Sequence, residues 1–177
     1  GLDILVNNAG RGDERLIDDV DEAHWEAVLA LNIKGAFFTI QASLPALKKT
    51  KGCVVNVASM LGVMGAPAGI IVYSTTKGAM VNMTRMMALE LARDGVRVNN
   101  LCPGWIDTPN EHRKFSEKEI ADGASAIPWK RLGRPEEIAG IVQFLVGDDV
   151  SYMSGACIRA DGAMLPALAL HLPEEKS

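Results

Sequence analysis

Four short runs of apolar, largely β-branched residues punctuate this chain, each closed by a glycine, asparagine or proline turn. Residues 3–6 stop at Asn7-Asn8-Ala9-Gly10. Gly52 to Val57 gives way to Ala58-Ser59 and a Gly/Pro-rich loop from Met60 to Gly69. Val96 to Leu101 ends at Pro103-Gly104, and Ala156 to Ala160 closes at Asp161-Gly162. Runs of this length between turn residues read as strands buried on both faces, the pattern of parallel sheets.

Helical periodicity fills the intervals. From His24 to about Gln41, Trp25, Val28, Leu29, Asn32, Ala36 and Thr39 fall on one stripe, and Pro45 should end or kink the helix. From about Tyr73 to Arg93, the residues Tyr73, Lys77, Met80, Thr84, Met87 and Leu91 share a face, with Gly95 as the stop. Arg134-Pro135-Glu136-Glu137 opens a third helix, with proline at its first position and glutamates at the positive end of its dipole. Its core face is Ile138, Ile141, Val142 and Leu145, and Gly147 ends it. Residues 11–21 lack periodicity and read as a loop; 109–131 read as a helical, mobile insertion. Alternating strands and helices with right-handed crossovers imply an α/β fold, a parallel sheet with helices on its faces, in one domain spanning 1–177.

The chain's 177 residues suffice for one core. A net charge of −4 argues against a nucleic-acid partner held through phosphates. Cys53, Cys102 and Cys157 are an odd number without metal-like spacing, so they read as buried reduced thiols, and no metal site is expected. No apolar run is read as reaching the roughly 18 residues of a membrane span. A cytoplasmic location is expected. The chain opens inside a strand pattern, which leaves room for a targeting segment ahead of it.

Three residue groups suggest chemistry. The four-residue spacing of Tyr73 and Lys77 puts both side chains on one helix face, about 5–6 Å apart at Cβ. An ammonium near a phenol lowers the phenol pKa, which would suit proton exchange with an alcohol or carbonyl. Tyr-x-x-x-Lys alone also occurs by chance in many helices. Ser59 lies just past a strand, where ligands gather in open parallel sheets, although serine also simply starts turns. Asn32 sits on an apolar stripe and must find partners: either backbone groups of the core or a water in a proton path.

Asn7-Asn8-Ala9-Gly10, Asn32 within Leu31-Asn32-Ile33, Ser59, Tyr73-x-x-x-Lys77, Pro103-Gly104 and Thr108 occur in this order and spacing. The set resembles the short-chain dehydrogenase/reductase family over about residues 1–165. The resemblance implies a doubly wound, Rossmann-like sheet and NAD or NADP as cofactor. It implies Tyr73 as general acid/base, Lys77 as its modulator and a ribose ligand, Ser59 orienting the carbonyl, and Asn32 anchoring a relay water. Asn8, Ala9 and Gly10 would line the cofactor's ribose side, and Pro103, Gly104, Ile106 and Thr108 would hold the nicotinamide carboxamide. It further implies a lid over 109–131 and a homodimer or tetramer paired through the two long helices. Trp105 and Trp129 are read as packing residues that could flank a substrate.

Two departures from the family stand out. Tyr73 follows Ser59 by fourteen positions, one more than in close relatives. The family's opening strand, Gly-x-x-x-Gly-x-Gly turn and following β-α units are missing, and with them the pyrophosphate cradle. Their loss would leave Ile4-Leu5-Val6 as an apolar edge. The resemblance leaves two expectations open: the ordered or retained part of a longer active enzyme, which is favoured, or a truncated product that binds cofactor poorly. The leading expectation is an NAD(P)-dependent oxidoreductase interconverting a carbonyl and a secondary alcohol, most like the 3-oxoacyl-carrier-protein reductase and sugar or polyol dehydrogenase group. The alternatives are an inactive fragment acting as a binding or scaffold protein and, more remotely, a nucleotide-sugar epimerase.

Overall fold

A computed structural model describes residues 1–12, 14–65 and 68–165. Parts of the expected loops at 13 and 66–67, and the end of the expected domain at 166–177, lie outside the described residues. Four strands form one sheet: β1 (Ile4–Asn7), β2 (Cys53–Val57), β3 (Arg97–Pro103) and β4 (Cys157–Ala160), in that spatial order and all parallel. The helices are α1 (Glu22–Leu29), α2 (Ala36–Thr50), α3 (Ile71–Leu91), α4 (Glu111–Lys114), α5 (Glu117–Ala126) and α6 (Pro135–Val146). The expected doubly wound α/β arrangement is the one observed. On one face Ile40 and Leu47 of α2 and Ala88 and Leu91 of α3 pack on Val54 and Val98. On the other, the anticipated stripe Ile138, Ile141, Val142 and Leu145 of α6 packs on Val55, Leu101 and Ile158.

The first long helix departs from expectation. It runs from Glu22 to Thr50, with Pro45 inside it, because Leu44 and the fully buried Leu47 beyond the proline belong to the core. Burying them outweighs the single backbone hydrogen bond that proline removes. Between α1 and α2, Ala30–Gly35 form a π-helical stretch. Its wider turn advances the inward stripe, so Ile40 is buried and Thr39 is exposed. This helix is long and apolar enough to cross a membrane by length and composition alone, but its apolar residues also pack on the sheet.

Burial of β1 on both faces is also corrected. Leu5 packs into the core with α2, but Ile4 and Val6 on the opposite face are 44% and 39% exposed. The described residues of α6 cover β2 to β4 on that face and leave β1 bare.

A buried polar chain crosses the first face. The Asn7 side chain donates to Asn56 Oδ1 (2.8 Å), Asn56 Nδ2 donates to Thr84 Oγ1 (2.9 Å), and Thr84 Oγ1 donates to the Met80 carbonyl (2.9 Å). It couples β1, β2 and α3, the three elements that carry the site.

Candidate active site

The carboxyl ends of β1 to β3 open onto one rim, and α3 starts beside it. Ser59 caps the 3₁₀ turn Met60–Gly62, its Oγ accepting the Leu61 N–H at 3.2 Å. That turn lies directly on α3: a Cβ on Gly62 would stand 2.6 Å from the Lys77 carbonyl carbon, so no side chain fits there. Lys77, almost fully buried, reaches back to the strand and donates from Nζ to the Val57 carbonyl at 2.8 Å. The serine turn and the Tyr73–Lys77 face are thus fixed together at two points.

Tyr73 lies in the first turn of α3, with its side chain hydrogen-bonded to Ser59 and Lys77 Nζ 5.5 Å from its ring centre. The expected depression of the phenol pKa is absent. Burial pushes Tyr73 above its ordinary value; the Ser59 hydrogen bond opposes this, and the Glu111 carboxylate adds to it. The ammonium lies over the ring and is itself disfavoured, because burial lowers Lys77 to about 8.

That shift predicts a pH dependence. Unfolded Lys77 titrates near 10.5 and folded Lys77 near 8, so between these values the unfolded chain binds more protons and stability rises with pH. Below about 8 both states are charged and the burial penalty is fully present. Lys77→Met should abolish this contribution, and its stability gain over the parent should shrink by about 2–3 kcal/mol from pH 7 to 10.5. Denaturant unfolding of both proteins across that range checks it; a constant difference would refute the assigned burial.

Asn32 is fully buried in the π stretch, and its side chain is bonded on every side. Oδ1 accepts the Arg11 N–H, while Nδ2 donates to the Arg11 carbonyl and to Thr76 Oγ1, each at 2.9 Å. Thr76 Oγ1 in turn donates to the Tyr73 carbonyl at 2.7 Å. The amide therefore uses both hydrogens to brace the loop after β1 against the start of α3, which is the backbone-satisfied alternative.

Asn8, Ala9 and Gly10 form an exposed shelf at the end of β1. A Cβ on Gly10 would stand 3.2 Å from Lys77 Nζ and 3.3 Å from Asn32 Oδ1, and one on Gly12 would stand 2.7 Å from the Tyr73 ring. An ammonium has three hydrogens. The Val57 bond takes one, which leaves donors beside the shelf for the hydroxyls of a ribose.

Pro103 and Gly104 end β3 at the same rim, with the Gly104 N–H bonded to the Ala160 carbonyl at 2.9 Å. Ile106 bridges to Gly133, and the Thr108 carbonyl accepts the first N–H of α4 at 3.0 Å. No hydrogen bond among the described residues joins these four to Ser59, Tyr73 or Lys77. Ile106 instead lines a cleft of about 370 Å³ with Trp129 and Ile138, which the three do not border.

Thr76, Glu111 and Lys114 escaped the sequence reading. Thr76 lies between Tyr73 and Lys77 but carries no motif of its own. Glu111 and Lys114 belong to a charge run that reads as solvated surface. Trp105 Nε1 holds Glu111 at 2.6 Å, and Lys114 Nζ reaches the Gly12 carbonyl at 2.9 Å, so α4 spans the rim from β3 to the loop after β1. Trp105 also packs edge-on against Phe115, whereas Trp129 is 64% exposed.

Similarity to known proteins covers nearly the whole described chain. The family model described as enoyl-(acyl carrier protein) reductase matches residues 1–164. The 3-oxoacyl-(acyl-carrier-protein) reductase FabG of Thermotoga maritima is 39% identical over 165 residues, 93% of this chain and 66% of that protein. Meso-2,3-butanediol dehydrogenase of Serratia marcescens is 40% identical over 168 residues, 91% of this chain and 63% of that protein. Among solved structures, a protein assigned as a short-chain alcohol dehydrogenase from Sinorhizobium meliloti 1021 superposes with a TM-score of 0.87 at 36% identity, covering 94% of this chain and 66% of that one. ElxO with NADP bound matches with a TM-score of 0.87 at 29% identity, covering 94% and 68%. The chain thus spans about two thirds of the length of the curated relatives it matches.

Proposed function

Because this chain belongs to the short-chain dehydrogenase/reductase family, we propose that it interconverts a carbonyl and a secondary alcohol with NAD or NADP. The observation that carries this reading is the convergence of Tyr73, Ser59 and Lys77 at one rim of the sheet. A bound nicotinamide supplies or accepts the hydride.

The protein's part is placement and proton handling. The Ser59 hydroxyl orients the substrate oxygen beside Tyr73. The raised pKa of Tyr73 keeps its phenol protonated near neutral pH, the form that donates a proton to a carbonyl oxygen during reduction. Lys77 positions the ribose through its remaining donors, and Asn32 and Thr76 hold the loop after β1 and the first turn of α3 in register. Asn8, Ala9 and Gly10 accommodate the ribose side, and Pro103, Gly104, Ile106 and Thr108 the carboxamide side. Residues 109–131 serve as the substrate lid, latched by Lys114 on Gly12. The same reading assigns self-association to the long helices, where Phe38 of α2 and Met86 and Leu89 of α3 present exposed apolar side chains.

Titrating the chain with NADH and NADPH, then supplying a 3-oxoacyl thioester and a small vicinal diketone, tests the proposal. Coenzyme binding followed by its oxidation on adding one of these carbonyls is the expected result. Failure to bind either coenzyme would remove this chain from the hydride-transfer reading.

A further inference from the structure

Two of the three cysteines lie together across the β3–β4 pairing, 3.4 Å apart at sulfur. The register sets Asn100 opposite Cys157 and Cys102 opposite Arg159, so the cysteines are diagonal neighbours on the α3 face. Their surroundings differ. Cys102 is fully buried; its sulfur receives the backbone N–H of Ser59 and, at 3.8 Å, the Asn100 amide. Cys157 is only partly buried, with Arg85 of α3 and its strand neighbour Arg159 close enough to favour a negative sulfur. Cys53 is buried on the opposite face of β2 and has no thiol neighbour.

We propose that Cys102 and Cys157 form a redox-active dithiol, in which a hydroperoxide oxidises Cys157 and Cys102 resolves it to a disulfide joining β3 to β4. The geometry supplies both roles. The accessible sulfur, flanked by arginines, is the nucleophile, and the buried sulfur already in contact is the resolving group.

In the first step the Cys157 thiolate attacks a peroxide oxygen. An S–O bond forms, the O–O bond breaks, and the departing oxygen leaves as water after taking a proton. In the second step the Cys102 sulfur attacks the sulfenic sulfur. The S–S bond forms, the S–O bond breaks, and the hydroxyl leaves as water with the Cys102 proton. Two thiols lose two electrons and two protons, and one hydrogen peroxide becomes two waters.

The electrostatics agree with the assignment. The hydrogen bond between the two sulfurs holds the Cys157 pKa below the usual thiol range. The same hydrogen bond, together with burial, raises Cys102. Closing from 3.4 Å to a bond of about 2.0 Å requires local movement of β4. It would also draw the Cys102 sulfur away from the Ser59 amide, so oxidation reaches the turn that carries Ser59.

The test exposes the folded chain to a small excess of hydrogen peroxide and maps peptides without reduction. The expected result is a linked Cys102–Cys157 peptide pair, lighter by two hydrogens and separated again by dithiothreitol, with Cys53 still free. Cys102→Ala should instead accumulate sulfenic acid at Cys157, trapped by dimedone, and Cys157→Ala should abolish both signals. A stable adduct at Cys157 in the parent protein without the linked pair would overturn the resolving role. Oxidation confined to Cys53, or none, would overturn the proposal entirely.

Discussion

Tyr73→Phe should lower turnover of the coenzyme-loaded protein by ~10²–10⁴-fold while coenzyme affinity stays nearly unchanged. The substitution removes one oxygen and keeps the ring that packs against Gly12 and lies beneath Lys77. Its effect is therefore confined to the proton and to the hydrogen bond with Ser59. Single-turnover measurements separate the chemical step from binding, and fluorescence titration of the reduced coenzyme reports binding alone. A variant that retains more than about a tenth of parental turnover would exclude Tyr73 as the acid.

The largest stability effect should come from Asn56→Ala, at about 2–4 kcal/mol. Asn56 accepts from Asn7 and donates to Thr84, and all three residues are buried. Truncation leaves the Asn7 amide without its acceptor in a place where water has little access, and it opens a void between β2 and α3. For a chain of this size the loss corresponds to a melting temperature about 6–12 °C lower. Asn56→Asp should also destabilise, since the carboxylate accepts from Asn7 but brings an unpaired charge into the core. Calorimetry decides it, and a shift below about 2 °C would mean that the polar chain is not a stabilising element.

How much of this could be read in advance depended on the kind of interaction. Strands bounded by turn residues and the α6 stripe at Ile138, Ile141, Val142 and Leu145 are local patterns, and they appear where expected. The common location of Tyr73, Lys77 and Ser59 was legible because spacing along one helix, and a position past one strand, fix direction without long-range detail. Pro45 misled because local propensity yields to core burial a few residues further on, at Leu47. Thr39 misled because a π turn shifts the phase of a stripe, and nothing in Ala30–Gly35 announces one. The Asn7–Asn56–Thr84 chain and the tie from Asn32 through Thr76 to Tyr73 join residues far apart in sequence. They appear only once the sheet brings them together. The sign of the Tyr73 shift depended on burial against charge, a balance that spacing does not contain.

The twin ties from the β2 terminus to α3, through the Val57 carbonyl and the side-chain-free contact at Gly62, separate two kinds of change. The segment over the rim follows β3, is anchored at Trp105 and Ile106, and makes no hydrogen bond to those ties among the described residues. Substitutions there leave both ties in place, but Glu111 and Lys114 act on Tyr73 and on the Gly12 loop beside it, so these two positions are not free to vary. On the proposed function, such a cover can be edited to change what it admits at every position except the few that reach down to the phenol and its neighbouring loop.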